Sequence, residues 1–227
     1  MKDKVVVITG AFGILGRAVA QRALVAGARV ALVDFVAAAP DPLPAPLSLG
    51  GVDLTKSDAA QAAMTQVRDK LGPIDALLNV AGGFTWRRLD EGDAAAWELM
   101  FALNLKTAVN ACKGALPHLI EAGGAIVNVG SAAAALTQAG AGMGAYAASK
   151  AGIHKLTESL AEEMKGRVRV NAVLPSIIDT PQNRKDMPNV DPSIWVAPDD
   201  LAKVILFLAS DDARAMTGAL VPVTGRV

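Results

Sequence analysis

Short runs of β-branched residues alternate along the chain with longer stretches in which apolar side chains return every three or four positions. Val5-Val6-Val7-Ile8 contains no polar position, the pattern of a strand covered on both faces. Ile14, Leu15, Ala18, Val19, Arg22 and Ala23 repeat at helical spacing until Gly27, and residues 29–33 form a second buried strand. Pro40, Pro42, Pro44 and Pro46 then forbid a helix over 37–46, where a doubly wound chain would usually place one. An extended loop is predicted there, followed by a third strand over 47–52. Ser57 is read as the cap of a helix reaching about Lys70, with Asp58 favourable in its first turn. Gly72-Pro73 stops that helix, and 74–80 is strand four. Residues 93–122 read as one long helix that Pro117 ends or kinks near His118. Strand five (125–129), an Ala- and Gly-rich loop (132–144), a helix (145–165), a strand (167–174), a helix (199–210) and a last strand (219–223) complete the series. Such alternation with short links predicts an α/β fold, a doubly wound parallel sheet with helices on both faces. No internal repeat or separable second domain is visible, so residues 1–227 read as a single domain.

Composition narrows the functions open to such a fold. Hydrophobic residues make up 52% of 227 positions, ample for a large core. The 22 basic residues balance 22 acidic ones, which argues against a chain whose main task is binding nucleic acid or an anionic membrane. Asp, Lys, Arg, Gln or Gly interrupts each apolar stretch before membrane-spanning length. The start, Met1-Lys2-Asp3-Lys4 before Val5, superficially resembles a signal peptide, but its apolar run is too short and no small-residue cleavage site follows. A soluble, cytoplasmic protein with no nucleic-acid and no membrane partner is therefore expected. Cys112 stands alone, which leaves no disulfide framework or Cys-based zinc cluster within the chain. His118 and His154 are the only histidines, so no metal site is expected.

Two constellations carry chemistry. The first strand empties into Thr9-Gly10-Ala11-Phe12-Gly13-Ile14-Leu15-Gly16, where a helix begins. Glycines at such a junction let the backbone turn tightly and approach a pyrophosphate, and the helix N-terminus offers unpaired N–H groups. A helix that needs small residues to pack on its sheet would show a similar trio. Strand before, helix after and an acid downstream favour dinucleotide binding, the signature of a Rossmann-type domain. That acid is Asp34, placed to accept both ribose hydroxyls and to repel a 2′-phosphate, with no positive charge at Phe35. NAD(H) is thereby favoured, while Arg17 after the last glycine keeps NADP(H) open. The second constellation is Tyr146-Ala147-Ala148-Ser149-Lys150, whose tyrosine and lysine share one helix face. A free phenol has a pKa of about 10. A neighbouring ammonium favours phenolate and makes Tyr146, the only tyrosine, a usable proton donor and acceptor near neutral pH.

With these motifs in order, the chain resembles the short-chain dehydrogenase/reductase family over nearly its whole length. The resemblance rests on Thr9-Gly10 with Gly13 and Gly16, Asp53-Leu54, Asn79-Val80-Ala81-Gly82, Asn104, Ser131, Tyr146 with Lys150, and Pro175 through Thr180. It implies that the Gly10–Gly16 turn, with Phe12 and Ile14, holds the pyrophosphate. Asp53 and Leu54 would flank the adenine, and Asn79, Ala81 and Gly82 would line the adenosine side. Tyr146 would be the acid/base, Lys150 would bind the nicotinamide ribose and lower the tyrosine pKa, and Ser131 would orient the substrate oxygen. Asn104 would hold a water in a proton relay. Pro175, Ile178 and Thr180 would complete the cofactor site, with Thr180 meeting the carboxamide. The implied activity is hydride transfer between NAD(H) and a small carbonyl or alcohol substrate, in a homodimer or homotetramer built on the 93–122 and 145–165 helices.

Several departures from the family pattern form a pattern of their own. The glycines are spaced one residue tighter than usual, Ser131 lies fifteen positions before Tyr146, two more than usual, and Ser176 replaces a glycine. The helix after strand two is missing and the C-terminal substrate lobe is short. Ala81-Gly82-Gly83, Gly142-Met143, the segment from Asp179 to Pro188, Trp195 and Thr224-Gly225-Arg226 resemble the dihydropteridine reductase branch, which reduces quinonoid dihydropterin with NADH. Ser131 and Asn104 resemble the ordinary carbonyl-reducing members instead. A catalytically silent dinucleotide sensor is a third possibility, against which Asn104, Ser131, Tyr146 and Lys150 together argue. Among other residues, Cys112 reads as a buried small hydrophobe and His154 as a packing or surface residue. Trp97 reads as core or subunit contact. Trp86 and Trp195 are placed either to stack on a flat substrate ring or to pack a lid. Arg87-Arg88 and Asn183-Arg184-Lys185 are polar surface or anion contacts.

Overall fold

The computed structural model describes residues 1–91, 94–135 and 140–226. Strands β1 (Val5–Thr9), β2 (Arg29–Val33), β3 (Leu47–Leu49), β4 (Ala76–Asn79), β5 (Ala125–Val129), β6 (Arg169–Pro175) and β7 (Leu220–Val223) form one sheet. Its order is β3-β2-β1-β4-β5-β6-β7, and each pairing is parallel. The predicted α/β class, a Rossmann-type parallel sheet with helices on both faces, is what the chain adopts.

Strand alternation divides the core. Val6, Ile8, Val30 and Leu32 point to one face, which α1 (Ile14–Val25) and α8 (Pro198–Ala209) cover through Val19, Leu201 and Ile205. Val5, Val7, Ala31 and Val33 point to the other, covered by α2 (Ser57–Leu71) and α4 (Thr107–Ala122) through Met64, Val67 and Leu119. The sheet order reverses between β1 and β4, and the segments that leave their carboxyl ends diverge there. A crevice opens at that point, the usual place for a ligand in such sheets.

The segment after β2 has no helix, as its prolines required, and runs to β3 as an irregular loop. Other details correct the sequence reading. Lys56, not Ser57, is the cap residue of α2, and Ser57 is its first helical residue. Pro117 neither ends nor breaks α4, which continues to Ala122 and closes on left-handed Gly123. A proline removes one donor, but seven buried residues of this helix hold it to the sheet and α2. Upstream lie α3 (Ala94–Met100) and a π-helical stretch, Phe101–Lys106, that continue into α4. The predicted start at Asp93 lies outside the described residues. The loop expected over 132–144 begins instead with a helical turn, α5 (Ala132–Ala135), while positions 136–139 lie outside the described residues. Helix α6 (Gly144–Glu163) follows, and a short α7 (Pro181–Asp186) after β6 was not foreseen. Thr180 caps α7 by accepting from Asn183 N at 3.1 Å, with Pro181 in the first turn.

Candidate active site

The crevice at the sheet reversal is a cleft of about 1110 Å³. Its floor depends on two glycines. Gly10 has φ +62°, and a Cβ there would stand 2.7 Å from Ala81 Cα. A Cβ on Gly16 would meet Gly10 O at 2.1 Å. No side chain fits at either position, so the tighter glycine spacing still yields a bare backbone turn under the cleft. Gly13 caps α1, and Phe12 and Ile14 also face the cleft. Thr9, which the sequence reading passed over, ties this turn to the neighbouring strand. Its hydroxyl oxygen accepts from Val80 N and Ala81 N, both at 3.1 Å.

At one end of the cleft Asp34 is buried at the tip of β2. Its carboxylate accepts from Phe12 N at 2.8 Å and Val36 N at 2.9 Å, so the acid and the glycine turn hold each other. Arg17 points instead to the proline loop, where it pairs with Asp41 at 2.7 Å and also donates to the Asp41 carbonyl. Asp53 and Leu54 line the same end. Thr55, through its hydroxyl at 2.6 Å and its N–H at 2.9 Å, lowers the Asp53 carboxyl below its ordinary pKa.

At the other end stand Tyr146 and Lys150 from α6, with Pro175, Ile178 and Thr180 from the end of β6 opposite them. Burial raises the Tyr146 pKa above the ordinary phenol value, and the Ser131 hydroxyl opposes that rise. The expected lowering by Lys150 is not the governing influence here; desolvation is. Lys150 is itself buried, which pulls its pKa down to about 8. Its ammonium donates to Val129 O at 2.8 Å. Phe84 packs edge-on against the Tyr146 ring with centroids 5.0 Å apart and lines the cleft beside it.

Ala81 and Gly82 also line the cleft, whereas Asn79, Asn104 and Ser131 lie behind its walls. Asn79 pairs in register with Asn128 inside the sheet and donates to Asn128 Oδ1 at 2.9 Å and Cys112 Sγ at 3.2 Å. Strand alternation turns its side chain into the sheet's far layer. Asn104 sits on the π-helical stretch, buried. Its carboxamide accepts from Gly83 N and donates to Ser149 Oγ, both at 2.9 Å. A Cβ on Gly82 would fall 2.7 Å from Asn104 Oδ1 and 3.4 Å from Lys150 Nζ, so this glycine lets both polar groups reach the cleft wall. Ser131 is buried just before α5, and its hydroxyl is the group that opposes the rise in the Tyr146 pKa.

The tryptophans separate. Trp195 is buried outside the cleft lining, which removes it as a ring-stacking residue. Trp86 lies against Gly142 and donates to Ala141 O at 2.7 Å, fastening the loop after β4 to the loop before α6. Cys112 is buried, its thiol pKa pushed up to about 12 by desolvation, as befits a small hydrophobe. Arg88 pairs with Asp90, and Arg184 with Asp179, at the surface. Among the described residues no group of three or more His, Cys, Asp or Glu side chains could hold a metal, and no helix is long and apolar enough to cross a membrane.

A family model described as short chain dehydrogenase matches residues 4–191. Meso-2,3-butanediol dehydrogenase of Serratia marcescens is 36% identical, with 98% of this chain and 94% of the relative covered. A 2-(S)-hydroxypropyl-CoM dehydrogenase of Xanthobacter autotrophicus is 34% identical over 99% of this chain and 96% of its own length. The ligand-free structure of Thermoplasma acidophilum aldohexose dehydrogenase superposes with a TM-score of 0.89 at 29% identity, covering 99% of this chain and 93% of that one. The chain therefore belongs to the short-chain dehydrogenase/reductase family, and its class is that of an oxidoreductase.

The Lys150 shift has a direct consequence for stability. Its folded pKa lies below the ordinary 10.5 of an exposed lysine, so between about 8 and 10.5 the unfolded chain binds more protons than the folded one. Stability contributed by this group therefore rises as pH increases through that window. In urea unfolding between pH 8 and 10, wild type should gain stability relative to Lys150→Met as pH rises; parallel pH profiles would show that Lys150 is not desolvated.

Proposed function

We propose that this chain is an NAD(H)-dependent oxidoreductase that interconverts a small secondary alcohol and its ketone, with residues 1–227 acting as one dinucleotide-binding and catalytic unit. The observation that carries this reading is that Tyr146 and Lys150 line the same cleft as the glycine turn and Asp34, with the buried Ser131 hydroxyl bearing on the Tyr146 phenol from behind the wall. The cradle fits a dinucleotide because Gly10 and Gly16 leave bare backbone beside the N-terminus of α1, which suits a pyrophosphate. Asp34 would take the ribose hydroxyls, since each carboxylate oxygen retains accepting capacity beside its one backbone N–H. Asp53, Leu54, Ala81 and Gly82 would flank the adenosine half, and Lys150, Pro175, Ile178 and Thr180 the nicotinamide half. When bound, NAD(H) supplies or accepts the hydride.

The protein's own contribution is proton movement and orientation. Tyr146, protonated because burial raises its pKa, gives its phenolic proton to the developing alkoxide oxygen of a ketone and takes it back in the oxidative direction. Ser131 donates a second hydrogen bond to that oxygen and fixes its direction. Lys150 brings positive charge to this end, easing formation of the phenolate. Asn104 stands behind them and fixes the Gly83 and Ser149 ends of the site. Phe84 and Ile178 give the substrate end an apolar wall. The alcohol and diol names of the relatives support a small hydroxylated substrate.

Asp34 presents negative charge where a 2′-phosphate would lie, and Arg17 is engaged by Asp41. NADH should therefore bind more tightly than NADPH in fluorescence titrations, and Asp34→Ser should narrow the gap. Equal affinities in wild type would reject the NAD(H) assignment.

Oxidation of meso-2,3-butanediol with NAD⁺ and reduction of quinonoid dihydropterin with NADH form the first substrate panel. Tyr146→Phe should lower turnover of the alcohol by roughly a hundred- to ten-thousandfold while NADH affinity stays close to wild type. Ser131→Ala should also lower alcohol turnover strongly. Turnover of dihydropterin alone, indifferent to Ser131, would replace the alcohol reading with a pterin reductase. Absence of turnover with intact NADH binding across a wider panel of alcohols and ketones would favour a silent dinucleotide sensor.

The exposed apolar side chains Trp97, Leu99, Phe101 and Val109 on α3, the π-helical stretch and α4 would pair with a second copy in a homodimer or homotetramer. Sedimentation velocity at micromolar concentration should return a dimer or larger; a monomer would remove this assignment.

A further inference from the structure

Helix α6 places Tyr146, Lys150 and His154 four residues apart, so all three share one face. The first two belong to the proposed site. His154 was expected to pack or to sit at the surface. It is buried, and its Nε2 accepts a hydrogen bond from the backbone N–H of Ser131 at 3.3 Å. A Cβ on Gly130 would stand 2.6 Å from Nε2 and 2.8 Å from Cδ2 of this ring. The imidazole thus lies against the turn itself, in space that only glycine leaves open.

The same turn is held from the other side. Lys150 Nζ donates to Val129 O at 2.8 Å, while Gly130 N donates to Val173 O at 2.9 Å. Beyond the turn, Ser131 O accepts from Ala134 N, and Ser131 Oγ accepts from Ala133 N at 3.3 Å. The Ser131 N–H belongs to a buried residue of the segment, and His154 supplies its acceptor. A buried N–H without a partner costs enough to favour a rearranged turn. Only a neutral imidazole with its proton on Nδ1 can accept at Nε2. Burial, the largest influence, lowers the His154 pKa, and the nearby Lys150 and Lys155 act in the same direction against Glu158.

We infer that His154 is a positioning residue that holds the Ser131 hydroxyl at the Tyr146 end of the cleft by accepting from the Ser131 backbone. This rests on the proposed role of Ser131 in orienting the substrate oxygen. The grip on the turn does not. One side of α6 then fastens both ends of Val129-Gly130-Ser131: a cation to the carbonyl of the first residue and a neutral ring to the N–H of the third.

Two measurements separate the grip from the chemistry. In ¹⁵N NMR of the wild-type protein at pH 7, His154 Nε2 should show the shift of an unprotonated, hydrogen-bonded imidazole nitrogen; a protonated Nε2 would overturn the inference without any variant being made. The Ser131 amide should exchange slowly in wild type and in His154→Gln, whose Oε1 can replace Nε2, and at least tenfold faster in His154→Leu. Equal exchange in all three would also overturn it.

Kinetics with meso-2,3-butanediol and NAD⁺ then test the consequence. His154→Leu should lower kcat roughly ten- to a hundredfold with NADH affinity unchanged, and His154→Gln should restore most of the loss. In a Ser131→Ala background His154→Leu should cost nothing further; full additivity would mean that His154 does not act through the serine. If Ser131→Ala alone leaves turnover of a confirmed alcohol substrate unchanged, the proposed chemistry falls, and the NMR result still decides whether His154 holds the turn.

Discussion

The close approach of Gly10 to the chain leaving β4 is the constraint from which the site follows. β1 and β4 are neighbours in the sheet, yet the segments beyond them must diverge to open a crevice. They separate only after Thr9 Oγ1 has taken the N–H groups of Val80 and Ala81, and after Gly10 has turned at φ +62° within contact of Ala81. A Cβ at Gly10 would force the strands' ends apart, and one at Gly16 would drive α1 off the turn. The direction of α1, the bare backbone at its N-terminus and the position of Phe12 N beneath Asp34 all depend on that packing.

Opposite this rigid end, the site is assembled from segments that are far apart in sequence and joined by side chains. Asn104 links the loop after β4 to α6 through Gly83 N and Ser149 Oγ, and Ser149 Oγ in turn donates to Tyr146 O at 2.7 Å. Trp86 adds a second link through Ala141 O. These bonds place Phe84 against the Tyr146 ring. The proposed reactive end is therefore a product of tertiary hydrogen bonding, whereas the proposed dinucleotide end is a product of backbone geometry. A variant in the first should change turnover with little change in cofactor affinity, because among the described residues the hydrogen bonds that assemble it do not involve the glycine turn or Asp34.

What could be read from the sequence follows the same division. The strand runs, the glycine turn, Asp34 and the Tyr146–Lys150 spacing are local patterns: the strands form at the expected places, with β3 ending at Leu49 and β4 starting at Ala76, and the other residues line one cleft. Four prolines were enough to exclude a helix after β2, because proline acts on its own backbone. Pro117 misled for the complementary reason: a single lost donor is small beside the buried face of α4. The motif position of Asn79 says nothing about its partner, Asn128, which lies 49 residues on and is set by the β4–β5 register. Thr9 left no usable signal, and the helical spacing of His154 after Lys150 put it on the right face without naming its partner, since Thr9 and His154 each act on a backbone group distant in sequence.

The electrostatics of the reactive end impose a further order on these parts. In the proposed chemistry the buried Tyr146, its pKa raised, donates its proton, and it returns to that state only if the phenolate it leaves is tolerated. Desolvation alone would make that anion costly. The Ser131 hydroxyl opposes the cost directly, and Lys150, whose own pKa of about 8 leaves it mostly cationic at neutral pH, is the nearest formal positive charge on the same helix face. Lys150 cannot move freely toward the phenol, because Val129 O holds its ammonium. The positive charge is thus fixed in place before any proton moves, which is how a low-dielectric site stabilises a developing anion without reorganising at the moment of reaction. The turn that anchors the lysine at its first residue carries the serine at its third, so the two supports of the phenolate are held separately at opposite ends of one short segment.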